Sequence, residues 1–393
     1  MEVLAGSYDG LVVAYRLDVG QDSSTSLKVT QRFNDVSHNG CVRVMAVSEK
    51  GIVASGSTDE SVRLFDLLRN SDIGSLVSHE GDVNSLKFMG KDFLYTASSD
   101  GTIKMWRTRI WELQRTLKGH KGAVLGFDIH PSKKLALSVG GDKKLIAWDL
   151  VAGKYSFIRN IKKVYETLVF SPSGSRFLLR TGTTVEAYDL TQTEPIYVQD
   201  LKSHVNDCAF LSDELFVTAD DTGKVKVWSI PVKKMEFEFY AHEARVRSVV
   251  PLRSSDKSRF VIASCSGQDE TIKAWSVSIS EMKATLVAWV ATGCRLTCLT
   301  VHSTPEVADQ LLNRPPVEQP ANSVDSEKDS QSTTETPPET LKATDGPVTQ
   351  ELPKKKLKNS VIAMGSKKKK VNDMKKRKRN QPVAGLQKTR KIK

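Results

Sequence analysis

A short segment ending in an aromatic residue, returning at nearly constant spacing, constrains this chain more than any other feature. Its clearest copy is HEGDVNSLKFMGKDFLYTASSDGTIKMW, from His79 to Trp106. The copy opens with a histidine in a polar turn and continues through apolar Val83, Leu86 and Phe88. A second run covers Phe93 to Ala97, a Ser-Ser-Asp-Gly turn follows, and a third run, Thr102 to Trp106, ends in an indole. Runs of this length, rich in Val, Ile, Tyr, Phe and Trp and bounded by Gly and Asp turns, read as antiparallel strands. One such unit cannot bury its own faces, so neighbours of the same kind are required. They are present: Phe65, Trp106, Trp148, Tyr188, Trp228 and Trp275 stand 41, 42, 40, 40 and 47 residues apart.

His38, His79, His120, His204 and His242 open five of these six units, and an Asp precedes the aromatic by six residues at Asp59, Asp100, Asp142 and Asp269. Asp follows the aromatic in Phe65-Asp66, Trp148-Asp149 and Tyr188-Asp189. A period near 40 with these marks is the signature of WD repeats, and it predicts an all-β propeller. The first residues, Glu2 to Arg16, supply only the second and third strands of a unit, with Asp9 six residues before Tyr15. Arg295 to Val301 has the apolar spacing of Val83, Leu86 and Phe88 and supplies the missing first strand. The reading is therefore seven blades over residues 1–302, with one blade built from both ends so that no sheet edge is left open.

After that the composition changes. The net charge of +12 divides into +16 on residues 353–393, −7 on residues 303–352 and +3 on the propeller. Residues 303–352, rich in Pro, Ser, Thr and acids, read as a disordered linker, and 353–393 as an extended, disordered basic tail. The five cysteines show no metal spacing and read as reduced core residues of an intracellular chain. No run approaches the roughly 18 apolar residues of a membrane span, and the N-terminus lacks the features of a secretory signal.

No phosphate loop, dinucleotide turn, nucleophile elbow or metal-ligand cluster is present, so no catalytic residue, metal, cofactor or small-molecule substrate is expected. In units one to three the opening His and the turn Asp should meet on one rim. Unit four replaces the His turn by Ile161-Lys162-Lys163-Val164 and the Asp turn by Thr181-Gly182-Thr183-Thr184, so its blade is expected to lack the polar staple. Unit five offers Asp220 and Asp221 out of register with Trp228; Asp221 is taken as the partner of His204, with the choice between them open. Lys121, Lys143, Lys144, Lys162 and Lys163 fall in rim turns of units three and four and are a candidate basic patch. In the tail, Lys354, Lys355, Lys356, then Lys367, Lys368, Lys369 and Lys370, then Lys375, Lys376, Arg377, Lys378 and Arg379 form basic groups. Such groups suit a nuclear address and phosphate contacts blind to sequence, since aromatics for stacking on bases are absent.

Three stretches carry a closer resemblance: GHKGAVLGFDIHPSKKLALSVGGDKKLIAWDLVAGKYSFIRNIKK at 119–163, SGSTDESVRLFDL at 55–67 and RLTCLTV at 295–301. With the lysine-rich tail, the chain resembles the PAK-interacting, Mak-type WD-repeat proteins. The resemblance implies a hydrogen-bonded His–Ser/Thr–Trp chain completed by Asp in each regular blade: His38, Ser55 and Asp59; His79, Thr96, Asp100 and Trp106; His120, Ser138, Asp142 and Trp148. In units five and six His204 with Trp228, and His242 with Asp269 and Trp275, take the same places. Because these sets repeat, they read as structural staples rather than triads. The resemblance further implies a nucleolar, non-enzymatic factor in assembly of the large (60S) ribosomal subunit, in contact with pre-60S assembly proteins and pre-rRNA. The alternative it implies is a signalling adaptor that binds and restrains a p21-activated kinase.

Overall fold

Each of the repeated units forms one four-stranded antiparallel sheet in the computed structural model, which describes residues 1–18, 28–36, 38–252, 254, 256 and 258–317. Blades 1 to 6 run in chain order over residues 42–77, 83–118, 124–160, 167–200, 205–240 and 246–291. Blade 7 is composite: Leu296–His302 is its inner strand, followed outward by Glu2–Ser7, Leu11–Asp18 and Lys28–Val36. The pairing Glu2 with His302, Val3 with Val301 and Leu4 with Thr300 closes the ring as the sequence indicates. The described residues thus form a seven-bladed β-propeller.

Strand alternation puts one face of each sheet against the blade before it and the other against the blade after. Apolar clusters accordingly span neighbours: Tyr95, Ile103 and Leu117 of blade 2 pack with Phe127, Ile146 and Trp148 of blade 3. At the closing seam Leu4, Val12 and Cys298 pack against Val42, Met45 and Val53 of blade 1. Gly6 is required there, because a Cβ on it would stand 2.4 Å from Val42 Cγ1 and 2.8 Å from Cys298 Sγ.

A second device ties the blades near the central channel. Inner strands carry one extra residue near their start, a β-bulge at Arg43, Asn84, Leu125, Asn206, Arg247 and Thr297. A bulge swings its side chain out of the ladder. Asn84 Nδ2 donates to Val124 O and Asn206 Nδ2 to Val246 O, both at 2.8 Å, each the first core carbonyl of the next blade. Thr297 Oγ1 donates to Val42 O across the closing seam. In blade 4 the tie comes from the second strand, where Arg180 Nη1 donates to Val205 O at 2.7 Å.

The ordered body does not stop at residue 302, which corrects the boundary drawn from composition. Pro305–Leu312 is an α-helix starting with Pro in its first turn, where a missing N–H costs no bond. Its Ala308, Leu311 and Leu312 are buried with Val261, Ala263 and Leu296 of blades 6 and 7. Arg259 donates to Leu312 O and Asn313 Oδ1 at the helix end, and Val317 N donates to Leu286 O. Val307, Ala308, Leu311 and Leu312 hold a helical spacing too short to stand out beside the polar sequence that follows. The rest of the linker, the basic tail and residues 19–27 lie outside the described residues. Leu311 is 0% exposed, so Leu311→Ala should destabilise the propeller by about 2–5 kcal/mol in urea unfolding. A change below about 0.5 kcal/mol, the range of ordinary surface substitutions, would mean that the helix is not part of the core.

Candidate functional site

The turns entering each blade and the turns between second and third strands lie on one rim, and the histidines and aspartates meet there. His38 Nδ1 is 3.0 Å from Asp59 Oδ2, His79 Nδ1 2.7 Å from Asp100 Oδ2, His120 Nδ1 2.9 Å from Asp142 Oδ1 and His242 Nδ1 3.2 Å from Asp269 Oδ2. The other ring nitrogen faces a hydroxyl: Ser55 at 2.8 Å, Thr96 at 2.7 Å, Ser138 at 2.7 Å and Ser264 at 2.9 Å. Trp106, Trp148 and Trp275 donate their indole N–H to Thr96, Ser138 and Ser264 at 3.1, 2.8 and 3.1 Å. Phe65 has no such donor; in blade 1 Ser61 Oγ donates to Asp59 Oδ1 at 2.6 Å, as Thr102 Oγ1 donates to Asp100 Oδ1 at 2.7 Å in blade 2.

Burial pushes all four imidazoles below the ordinary histidine range, further than the aspartate hydrogen bonds pull them up. A neutral ring with its proton on Nδ1 satisfies every partner: Nδ1–H donates to the carboxylate, and Nε2 accepts from the hydroxyl, which accepts from the indole. Burial raises the aspartates too, but donors such as Ser61 on Asp59 and His79 on Asp100 outweigh it and leave the carboxyls below their usual range. The hydroxyls at Thr96, Ser138 and Ser264 are 0% exposed beneath the ring and the indole, so a substrate atom has no path to them. What the arrangement does is fasten the incoming turn to the middle of the sheet.

Blade 5 corrects the assignment of His204 and Asp221. His204 is exposed, and Asp221 accepts from Asn206 Nδ2 at 2.9 Å instead. The buried acid is Asp220, 0% exposed, which takes Ser203 Oγ at 2.8 Å and Lys226 Nζ at 2.7 Å. Asp220 pairs with Val205 at the end of the second strand, where blade 2 has Ser98 paired with Val83. The acid therefore comes two residues earlier than Asp100 does and points inward, so Ser203 and Lys226 meet it rather than a histidine. Trp228 keeps its place and donates to Thr218 Oγ1 at 2.9 Å.

Blade 4 has a staple after all, made of other residues. Glu186 Oε2 accepts from Tyr165 at 2.7 Å and Tyr188 at 2.8 Å, and Oε1 accepts from Lys163 Nζ at 3.0 Å. Burial raises the Tyr188 hydroxyl, with help from the Glu186 charge, to about 12. Burial also lifts the Glu186 carboxyl, but the three donors outweigh it and hold it below its usual range. The signal was an acid in the middle of the strand Thr184–Asp189, at the place where blades 1, 2, 5 and 6 carry Arg63, Lys104, Lys226 and Lys273. Among the described residues no group of three His, Cys, Asp or Glu is placed to hold a metal. Of the candidate patch, Lys121, Lys143 and Lys162 are exposed, Lys144 is half-buried, and Lys163 is exposed while engaging Glu186. The tail lysines and arginines from Lys354 to Arg379 lie outside the described residues.

These staples give the rim a pH response. Below about pH 6.5, the ordinary histidine value, the unfolded chain binds protons that the four buried rings refuse. Stability is therefore expected to fall between pH 7.5 and 5.5, each histidine adding up to ~1.4 kcal/mol per pH unit. Urea unfolding at the two pH values checks this, and His79→Gln should flatten the dependence; equal stability at both would contradict it. Tyr165→Phe removes one donor from a buried carboxylate and should cost about 1–3 kcal/mol by the same measurement.

The WD domain, G-beta repeat family matches residues 70–107, 111–149, 195–229 and 233–276. That match passes over 150–194, which holds most of blade 4, the blade stapled through Glu186. A p21-activated protein kinase-interacting protein 1-like protein of Xenopus laevis is 34% identical over 76% of this chain and 81% of its own length. Shk1 kinase-binding protein 15 of Schizosaccharomyces pombe is 30% identical over 84% of this chain and 95% of its own length. Protein MAK11 of Saccharomyces cerevisiae is 28% identical over 41% of this chain and 44% of its own length.

Proposed function

The chain belongs to the family of p21-activated protein kinase-interacting protein 1-like WD-repeat proteins, and we propose that it is a non-enzymatic scaffold for nucleolar assembly of the large ribosomal subunit. The propeller holds assembly proteins on its rims, and the basic tail carries the chain to the nucleolus and contacts pre-rRNA phosphates. The observation that carries this reading is the division of charge: a propeller near neutrality followed by a segment with 17 Lys or Arg against one acid. A charge run of that density binds polyanions with salt-dependent affinity and little sequence preference. Beside it, the resemblance read from 119–163 points to ribosome assembly, and the repeated, sealed His–Asp staples favour a binding role over catalysis.

A second reading rests on the names of the relatives, two of which are described as binding or interacting with kinases. In it, residues 1–317 bind the regulatory region of a p21-activated kinase and lower its activity. A purified propeller that neither binds nor inhibits such a kinase would remove this reading.

For the scaffold, the test is replacement of the cellular copy by a chain lacking residues 353–393. The expected result is dispersal from the nucleolus and a reduced ratio of large to small subunits in sucrose gradients. Unchanged localisation and an unchanged ratio would contradict the tail's part in the proposal.

A further inference from the structure

The histidine rim is not uniform in charge. Over blades 7, 1 and 2 its turns expose Asp9, Glu60 and Glu80, with Arg295 beside Tyr8. Over blades 3, 4 and 5 they expose Lys121, Lys143, Lys162, Lys163 and Lys202 instead. Most acids of that arc are occupied: Asp142 by His120 and the Lys121 N–H, Glu186 by two tyrosines and Lys163, Glu166 by Arg180 and Asp220 by Lys226. Asp200 and Asp221 are exposed and accept from the Thr183 hydroxyl and the Asn206 amide, so the five lysines outnumber them. Lys121, Lys143, Lys162 and Lys202 make no ion pair among the described residues. Blade 4 is the centre of the arc, and its departure from the repeat adds to it. Where blades 1, 2 and 6 place Asp59, Asp100 and Asp269, it has the neutral turn Thr181-Gly182-Thr183-Thr184, and its acid is drawn inward as Glu186. Its incoming turn brings Lys162 and Lys163 in place of a histidine.

We propose that the rim turns of blades 3 to 5 form a docking surface for the phosphate backbone of a nucleic-acid duplex, which is double-helical RNA given the scaffold reading on which this rests. The chemistry of the arc decides between partners. Protein interfaces are depleted in lysine and draw their energy from buried aromatic, apolar and arginine anchors. Here the turns at 119–123, 141–143, 161–164 and 182–183 hold none of the large exposed hydrophobics; on blades 3 and 4 these lie on outer strands and on the opposite rim, at Val151, Tyr155, Phe157 and Leu190. Point charges without anchors suit phosphates, which is the composition expected of nucleic-acid surfaces. The turns of blades 3 and 4 hold no exposed aromatic for bases to stack on, and Tyr240, exposed at the edge of blade 5, is already covered by Lys224 Nζ at 4.7 Å, so paired strands are favoured over single ones. The surface is separate in sequence from the tail and would orient the propeller on RNA that the tail holds without direction.

The test uses the full-length chain with Lys121→Gln, Lys143→Gln, Lys162→Gln and Lys202→Gln combined; Lys163 is spared because it holds Glu186. Affinity for a blunt RNA duplex is measured across salt concentrations, beside a single strand of the same length and a polyglutamate competitor. The expected result is weaker duplex binding and a log–log salt slope smaller by up to about 3.6, at roughly 0.9 per phosphate contact for four lysines, with melting unchanged and binding restored by Lys→Arg at the same positions. Unaltered duplex affinity and slope would overturn the proposal. So would polyglutamate displacing the duplex from wild type with the same four-lysine dependence, which would assign the arc to an acidic protein. Failure of the scaffold reading appears differently, as absence of pre-rRNA from the purified cellular protein while duplex binding in vitro still depends on the four lysines.

Discussion

A ring of sheets that bury their faces only against one another depends on its last junction. Here that junction is the pairing of the strand at 296–302 with the strand at 2–7, two segments almost three hundred residues apart. Until it forms, blade 7 lacks its inner strand, and the apolar faces of blades 6 and 1 remain open. The residues at the seam fit that demand: Gly6 admits Val42 and Cys298 at a distance no Cβ tolerates, and Thr297 reaches across to Val42 O. The helix at 305–312 then packs its apolar side on blades 6 and 7. Closing so long a loop carries a modest extra entropy cost, since that cost grows only with the logarithm of length. The structure meets it with seam contacts repeated around the ring.

With the ring closed, the blades become equivalent positions on which different chemistry can be set. Three arrangements of polar groups fasten the rim turns: neutral histidine between hydroxyl and aspartate in blades 1, 2, 3 and 6, Asp220 with Lys226 in blade 5, and Glu186 between two tyrosines in blade 4. All keep buried polar atoms partnered. They differ in the charge they leave at the surface. The histidine staple keeps an acid at the rim, whereas the tyrosine staple takes its acid inside and exposes lysines. A structural substitution thereby becomes an electrostatic one.

The architecture was legible because it depends on repetition. Trp106, Trp148, Trp228 and Trp275 fix the register of the third strands, and the half-unit at Glu2–Arg16 calls for its complement at Arg295–Val301. What was not legible depends on which way a single side chain points. Asp220 and Asp221 are neighbours in sequence, yet strand alternation buries one and exposes the other. The spacing rule that places Asp100 does not carry to a blade whose acid comes two residues early. Glu186 was visible as an acid in mid-strand where other blades carry a cation, but its partners Tyr165 and Tyr188 are brought to it only by the sheet. The bulge residues Asn84 and Asn206 read as ordinary polar positions, and only the next blade's carbonyl gives them a role.

The proposed function has the chain working as a scaffold beside RNA, with the propeller and the tail contributing different contacts. The most direct measurement is affinity purification of the full-length protein from cells at moderate salt, identifying RNA and protein together. The account predicts pre-rRNA of the large subunit accompanied by assembly proteins. A protein kinase recovered without rRNA would contradict it and give the signalling reading first place.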